Sequence, residues 1–159
     1  MNKETSLVQK VQAFLNLEAD LLDHKNLDQW LDLFEDDGIY WVPASPNQED
    51  MRGEISIILE DKPLLQLRIT RLSHPRAHAT IPPPATSHLL GNVSITRMGD
   101  LIQAKSKLIV TEFRNEKNTL LSGSVTHELR ELDSGFRIRL KRVDLAQAGG
   151  IFSAITIPL

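Results

Sequence analysis

Between Thr86 and Leu145 the chain is a run of four β-prone segments joined by links too short for anything but hairpins. They span Thr86 to Arg97, Leu101 to Phe113, Thr119 to Leu132 and Phe136 to Leu145. Turn signals separate them: Met98-Gly99-Asp100, then Asn115 to Asn118, then Asp133-Ser134-Gly135. Parallel neighbours need a long crossover, so these segments must pair antiparallel. They are long against the usual strand of about 5–6 residues. A sheet made of them is expected to curve strongly, with a bulge as the usual device.

Alternation along the strands assigns faces. Leu89, Val93 and Ile95 are expected on one face, with His88, Leu90 and Asn92 on the other. Leu121, Val125, His127 and Leu129 share a face, which makes His127 a neutral, hydrogen-bonded core residue. Arg137, Arg139 and Lys141 alternate onto one face and read as a solvated basic stripe, or as a surface for an acidic partner.

Upstream lies helical material that must cover this sheet. Ser6 followed by Gln9 fits a capping box. After it, Leu7, Val11, Phe14, Leu15, Leu21 and Leu22 recur at helical spacing. Glu18 falls in the middle of that apolar face and Asp20 nearly opposite. A carboxylate there is either paired with a cation or a functional acid. Pairing is the expectation, because buried charges are usually paired, with Arg68 and Arg71 as candidate partners. Asn26 is placed to cap a second helix carrying Leu27, Trp30, Leu31 and Phe34 inward, and Gly38 suits its C′ position. Ile39 to Val42 then forms a strand that Pro43 ends, with Tyr40 and Trp41 on opposite faces. Trp41 is a candidate for subunit packing.

Ala44 to Gly53 reads as a surface loop, and Ile55 to Leu59 as a short strand. Asp61 can cap a third helix from Lys62 to Leu72, with Pro63 in its first turn and Arg68 among its apolar residues. The proline-rich stretch from Ser73 to Thr86 is a stiff connection. It holds His74 and His78, four apart, but Pro75 argues against the helix that would make this a metal-binding pair. They are expected to be exposed loop residues, with no metal site. The tail from Gly149 to Leu159 carries no charge, and packs either on its own sheet or across a subunit boundary.

Composition narrows the function. The net charge of -3 gives no electrostatic case for nucleic acid or an anionic membrane. No apolar run approaches a membrane span, and the first residues lack the apolar core of a signal peptide, so a cytoplasmic location is expected. There is no cysteine, which excludes disulfides, thiolate nucleophiles and cysteine-ligated clusters. A length of 159 residues suits one domain spanning the whole chain.

Three helices followed by a curved antiparallel sheet make an α+β cone. This order resembles the nuclear-transport-factor-2-like (SnoaL-like) superfamily, which hosts enzymes and inert scaffolds alike. More closely, the chain resembles the small, or β, subunit of the terminal oxygenase of aromatic ring-hydroxylating dioxygenases. The residues that carry the resemblance are Glu18 with Leu21-Leu22-Asp23, then Trp30-Leu31, Asp37 and Tyr40-Trp41-Val42-Pro43. It continues through Glu54 to Ile58, Arg68 with Arg71-Leu72, Thr86-Ser87-His88, Asn92-Val93, Gly123 and Lys141-Arg142-Val143. The Trp-Val-Pro ending is similar to the benzoate-like branch. One departure is Ala85, where the family often has arginine.

The resemblance implies a non-catalytic structural subunit. It implies that the α subunit holds a Rieske [2Fe-2S] cluster and a mononuclear iron, and that three β chains form the stem of an α3β3 assembly. The rival is a free-standing dehydratase, isomerase or small-molecule-binding module of the same cone. Its acid–base candidates are Glu18, Tyr40, His88 and His127, provided that they converge in an open pocket. A plugged cone with Glu18 locked on a cation favours the scaffold.

Overall fold

The computed structural model describes residues 3–76, 82–150 and 155–159. Helix α1 (Lys3–Asp23) is followed by a short α2 (Leu27–Leu31), strands β1 (Phe34–Pro43) and β2 (Ser56–Asp61), and helix α3 (Lys62–Leu72). Four long strands complete the chain: β3 (Ala85–Met98), β4 (Leu101–Arg114), β5 (Lys117–Leu132) and β6 (Gly135–Leu145). Among the described residues they form one sheet in the order β2-β1-β6-β5-β4-β3.

The expected hairpins are present. Met98 pairs with Leu101, Arg114 with Lys117, and Leu132 with Gly135, all antiparallel. Each turn uses left-handed backbone, at Gly99, at Asn115 and Glu116, and at Gly135. The sheet is not wholly antiparallel, because β1 lies parallel to β6. A parallel pair joins strands distant in sequence, and here everything from β2 to β5 intervenes.

Two expected helix boundaries are wrong. α1 begins at Lys3, so Ser6 lies inside it and is no cap. α2 stops at Leu31, and Gly38 lies within β1 rather than at a helix end. Phe34 pairs with Ile138 and Ile39 with Leu140, so the residues between them bulge from the ladder. At Gly38 a Cβ would stand 2.7 Å from the Ile138 carbonyl oxygen, which is why glycine is needed there. Asn26 stands at the N-cap of α2, but its side chain makes no capping hydrogen bond. By contrast α3 begins as expected, with Asp61 Oδ1 accepting from the Leu64 amide at 3.1 Å.

Bulges also change two of the expected faces. In β3 the register slips between Gly91 and Ser94, with Asn92 at φ 53°. Leu89 is therefore exposed, while Leu90, Val93 and Ile95 all pack toward the core. In β6 the slip falls at Arg139: Leu129 faces Ile138 but Glu128 faces Leu140. Phe136 and Ile138 point inward before it, and Lys141, Val143 and Leu145 after it. Lys141 thus leaves the basic stripe and is buried. Arg139 of that stripe meets acids of its own chain, 3.5 Å from Asp37 and close to Glu35, which also pairs with Arg130, while Arg137 donates to the Phe136 carbonyl.

The helices cover one face of the curved sheet. Val11, Leu15, Trp30, Phe34, Tyr40, Leu65, Ile102, Leu129 and Ile138 form the centre of the core. Trp30 meets Phe34 and Tyr40 edge-on, at centroid distances of 5.2 and 5.6 Å. Trp41 lies on the opposite face from Tyr40, as alternation requires. It is 3 % exposed, with Arg142 stacked over its ring at 4.3 Å and its indole N–H donating to Ser56, so it presents little surface of its own for subunit packing.

Candidate functional site

Glu18 is the polar centre of the core. The helical spacing of α1 puts it on the inward face, and it is 2 % exposed. Three other elements supply donors to it. The Trp30 indole N–H from α2 reaches Oε1 at 3.0 Å, and the Lys141 ammonium from β6 reaches the same oxygen at 2.6 Å. His127 Nε2 from β5 donates to Oε2 at 2.7 Å. Burial alone would push the Glu18 carboxyl up. The Lys141 and His127 charges and hydrogen bonds outweigh it and hold the carboxyl well below its ordinary range. The acid is therefore a fixed anion. Arg68 and Arg71 take no part: Arg68 grips Glu60 with Nε at 2.9 Å from both oxygens, and Arg71 is exposed.

Lys141 also lies 5.8 Å from the Trp30 ring centroid and 5.9 Å from that of Tyr40. Its charge is thus satisfied by a carboxylate and two aromatic rings. His127 is buried and hydrogen-bonded as expected, but its Nδ1 has no partner among the described residues.

The final described segment closes this interior. Ile157 and Leu159 are buried in the core, so this part of the tail packs on its own chain. The Leu159 amide donates to the Tyr40 hydroxyl at 2.9 Å. Burial, the largest influence on Tyr40, pushes its phenol well above the ordinary value and keeps it neutral. Beside Leu159 there remains a space of about 10 Å³, bordered by Glu18, His88, His127 and Lys141. A void of that size holds about one water molecule.

A second polar set ties α1 to β3. Asp23 accepts from the Thr86 hydroxyl at 3.1 Å, the His88 amide at 3.0 Å and His88 Nδ1 at 2.6 Å. His88 Nε2 faces the Pro158 carbonyl at 3.2 Å. The Asp–His pair thereby holds the closing segment in place.

The four acid–base candidates have separate fates. Glu18 and His127 are in contact, and His88 borders the same small void. Tyr40 lies against the set but spends its hydroxyl on Leu159. Lys141 belongs to the site and was missed, because alternation was carried unbroken through β6. A signal was present: Phe136 and Ile138 alternate out of phase with Val143 and Leu145, so a one-residue slip must fall between them. His74 is exposed as expected, and His78 lies outside the described residues. Among the described residues no cluster of three or more metal-ligating side chains occurs, and no helix is long and apolar enough to cross a membrane.

Helices laid on one face of a curved six-stranded sheet, with a closed cone between them, define a nuclear-transport-factor-2-like fold. A protein of that type from Novosphingobium aromaticivorans shares it with a TM-score of 0.59 over 92% of this chain and 84% of its own, at 17% identity. Residues 17–149 match the ring hydroxylating beta subunit family, and the chain belongs to that family. The small oxygenase component of the p-cumate 2,3-dioxygenase system of Pseudomonas putida is 32% identical over 136 residues, covering 84% of this chain and 76% of that one. The β subunit of benzoate 1,2-dioxygenase from Burkholderia mallei matches 91% of this chain and 95% of its own, with 28% identity and a TM-score of 0.76.

Proposed function

We propose that this chain is the non-catalytic small subunit of a multicomponent aromatic-ring dioxygenase, acting in the cytoplasm as one unit across its whole length. The observation that carries the proposal is the state of Glu18. A cone-fold enzyme needs its buried acid free to meet a substrate. Here that acid is held by Trp30, His127 and Lys141 of the same chain. The Tyr40 hydroxyl is occupied by Leu159, and a void of about 10 Å³ admits no substrate. These are the marks of a scaffold and speak against the dehydratase or isomerase reading.

The redox chemistry then belongs to a large α subunit. A Rieske centre takes two cysteines and two histidines, and this chain has no cysteine, so its residues do not fit that cluster. The α subunit would hold the cluster and the mononuclear iron. This chain would supply a rigid base, with three copies forming the stem of an α3β3 complex. Co-expression with the large subunit tests this. The two chains should copurify in equal amounts, and the small chain alone should leave aromatic acids unchanged. If the chains separate, and this chain alone turns over a hydroxylated ring compound, the proposal fails.

A further inference from the structure

At the rim of the closed cone, outside the Leu159 plug, lies a groove of about 350 Å³. That is a volume suited to a small ligand, for which pockets run from roughly 300 Å³. It opens between the end of α1, the end of α3, the start of β3 and the closing segment. Leu22, Leu27, Leu72, Pro83 and Ile157 give it apolar walls. Its one fixed charge is Lys25; His74 and His88 also border it, and among the described residues no aspartate or glutamate does.

Lys25 occupies an unusual position. The Asn26 amide donates to the Leu21 carbonyl at 2.9 Å and the Lys25 amide to the Leu22 carbonyl at 3.1 Å. These are the two bonds of a Schellman motif, and they put Lys25 at C′, with φ 59°. Glycine is the usual residue there, because a side chain strains the left-handed backbone. Here a lysine is kept at that position, and its side chain borders the groove.

The histidines have defined parts. His74 Nδ1 accepts from the Arg76 amide at 3.1 Å, so its ring proton sits on Nε2 and is available to donate. Both His88 nitrogens are engaged, by Asp23 and by Pro158, so His88 forms the wall rather than a ligand donor.

We infer that this groove binds a small apolar carboxylate. Lys25 pairs with the carboxylate, His74 Nε2 donates to it, and the apolar body lies against Leu22, Leu27 and Ile157. An apolar wall with one ammonium and one N–H donor at its edge matches that class and disfavours a neutral analogue. The site does not depend on the subunit role proposed above, and its failure would leave copurification with an α subunit untouched.

Calorimetry on the full chain tests it, with benzoate as the probe and benzamide as its neutral counterpart. Benzoate should bind with a Kd on the order of 1 mM or tighter, and benzamide about tenfold more weakly or worse, for want of the charge-assisted bond. Lys25→Gly should melt no lower than the parent, because glycine relieves the C′ strain, yet lose about tenfold or more in benzoate affinity. Lys25→Arg should keep the affinity. In the copurified complex, Lys25→Gly should remove one benzoate site per small subunit. No benzoate binding, equal binding of benzamide, unchanged affinity in Lys25→Gly, or an unchanged number of sites in the complex would each overturn the inference. The last result would make the groove a subunit contact.

Discussion

At the scale of residues, Glu18 decides most. Its place inside the core was legible, because helical spacing among Val11, Phe14, Leu15, Leu21 and Leu22 leaves position 18 on the same face. Two of its three partners, His127 and Lys141, were not, since they come from strands more than 100 residues away and spacing carries no information over that distance. Removing the carboxylate leaves the Lys141 ammonium buried without its counter-charge. Glu18→Gln should therefore cost about 3–5 kcal/mol in urea unfolding at neutral pH. The acid dependence follows from the lowered carboxyl. Its stabilising contribution is complete above the ordinary value of 4.5 and drains away as pH falls from there toward the folded value. The urea midpoint of the parent should fall below about pH 4, and Glu18→Gln should show a shallower fall over the same interval. Tyr40→Phe is a quieter change: it leaves the buried Leu159 amide without an acceptor, at about 1–3 kcal/mol. Faster hydrogen exchange at that amide would separate this loss from a general loosening.

At the scale of elements, hairpins and caps were readable and slips were not. The ends of the four long strands fall within a residue or two of their turn signals, because Gly99, Asn115 and Gly135 supply the backbone that tight links require. α3 was readable for a similar local reason, in Asp61 and Pro63. Bulges broke the reading in β1, β3 and β6. Each adds residues on one strand without changing composition, and those in β3 and β6 reverse the faces beyond them. The Glu35-to-Gly38 stretch was taken for a helix end because its acids and glycine suit one. It is instead a bulge whose Glu35 and Asp37 answer the arginines of β5 and β6. Where strands approach most closely, glycine has no substitute. At Gly123 a Cβ would stand 2.1 Å from the Asp144 carbonyl oxygen and 2.9 Å from the Leu145 Cα. Both are backbone atoms of β6, so they cannot rotate away. Gly123→Ala should cost about 3 kcal/mol or more, seen as a lowered Tm with the β5–β6 amides exchanging fastest.

At the scale of the whole molecule, the cone is finished by its last residues. An uncharged tail could lie on its own chain or on another, and the sequence left both open. The structure gives Ile157 and Leu159 to the core, with Pro158 fastened by His88. Leu159→Ala should then behave as an interior truncation, costing about 2–5 kcal/mol in denaturant unfolding. A loss below about 0.5 kcal/mol, typical of a surface change, would show that the plug adds little. The family was legible as an ordered set of short pieces from Glu18 to Val143, whereas the closure that separates scaffold from enzyme was not. Closure depends on which side chains meet, and that is settled only once β6 has taken its place beside β1.

That placement has a cost in time. Glu18 and Lys141 are separated by 123 positions. A ribosome adding about 5–20 residues each second makes the acid roughly 6–25 s before its counter-charge. For that interval the nascent chain carries an amphipathic helix with a carboxylate in its apolar stripe, and a first strand with no parallel neighbour to join. Until β6 emerges, α1 and β1 lack the partners that hold them in the finished fold.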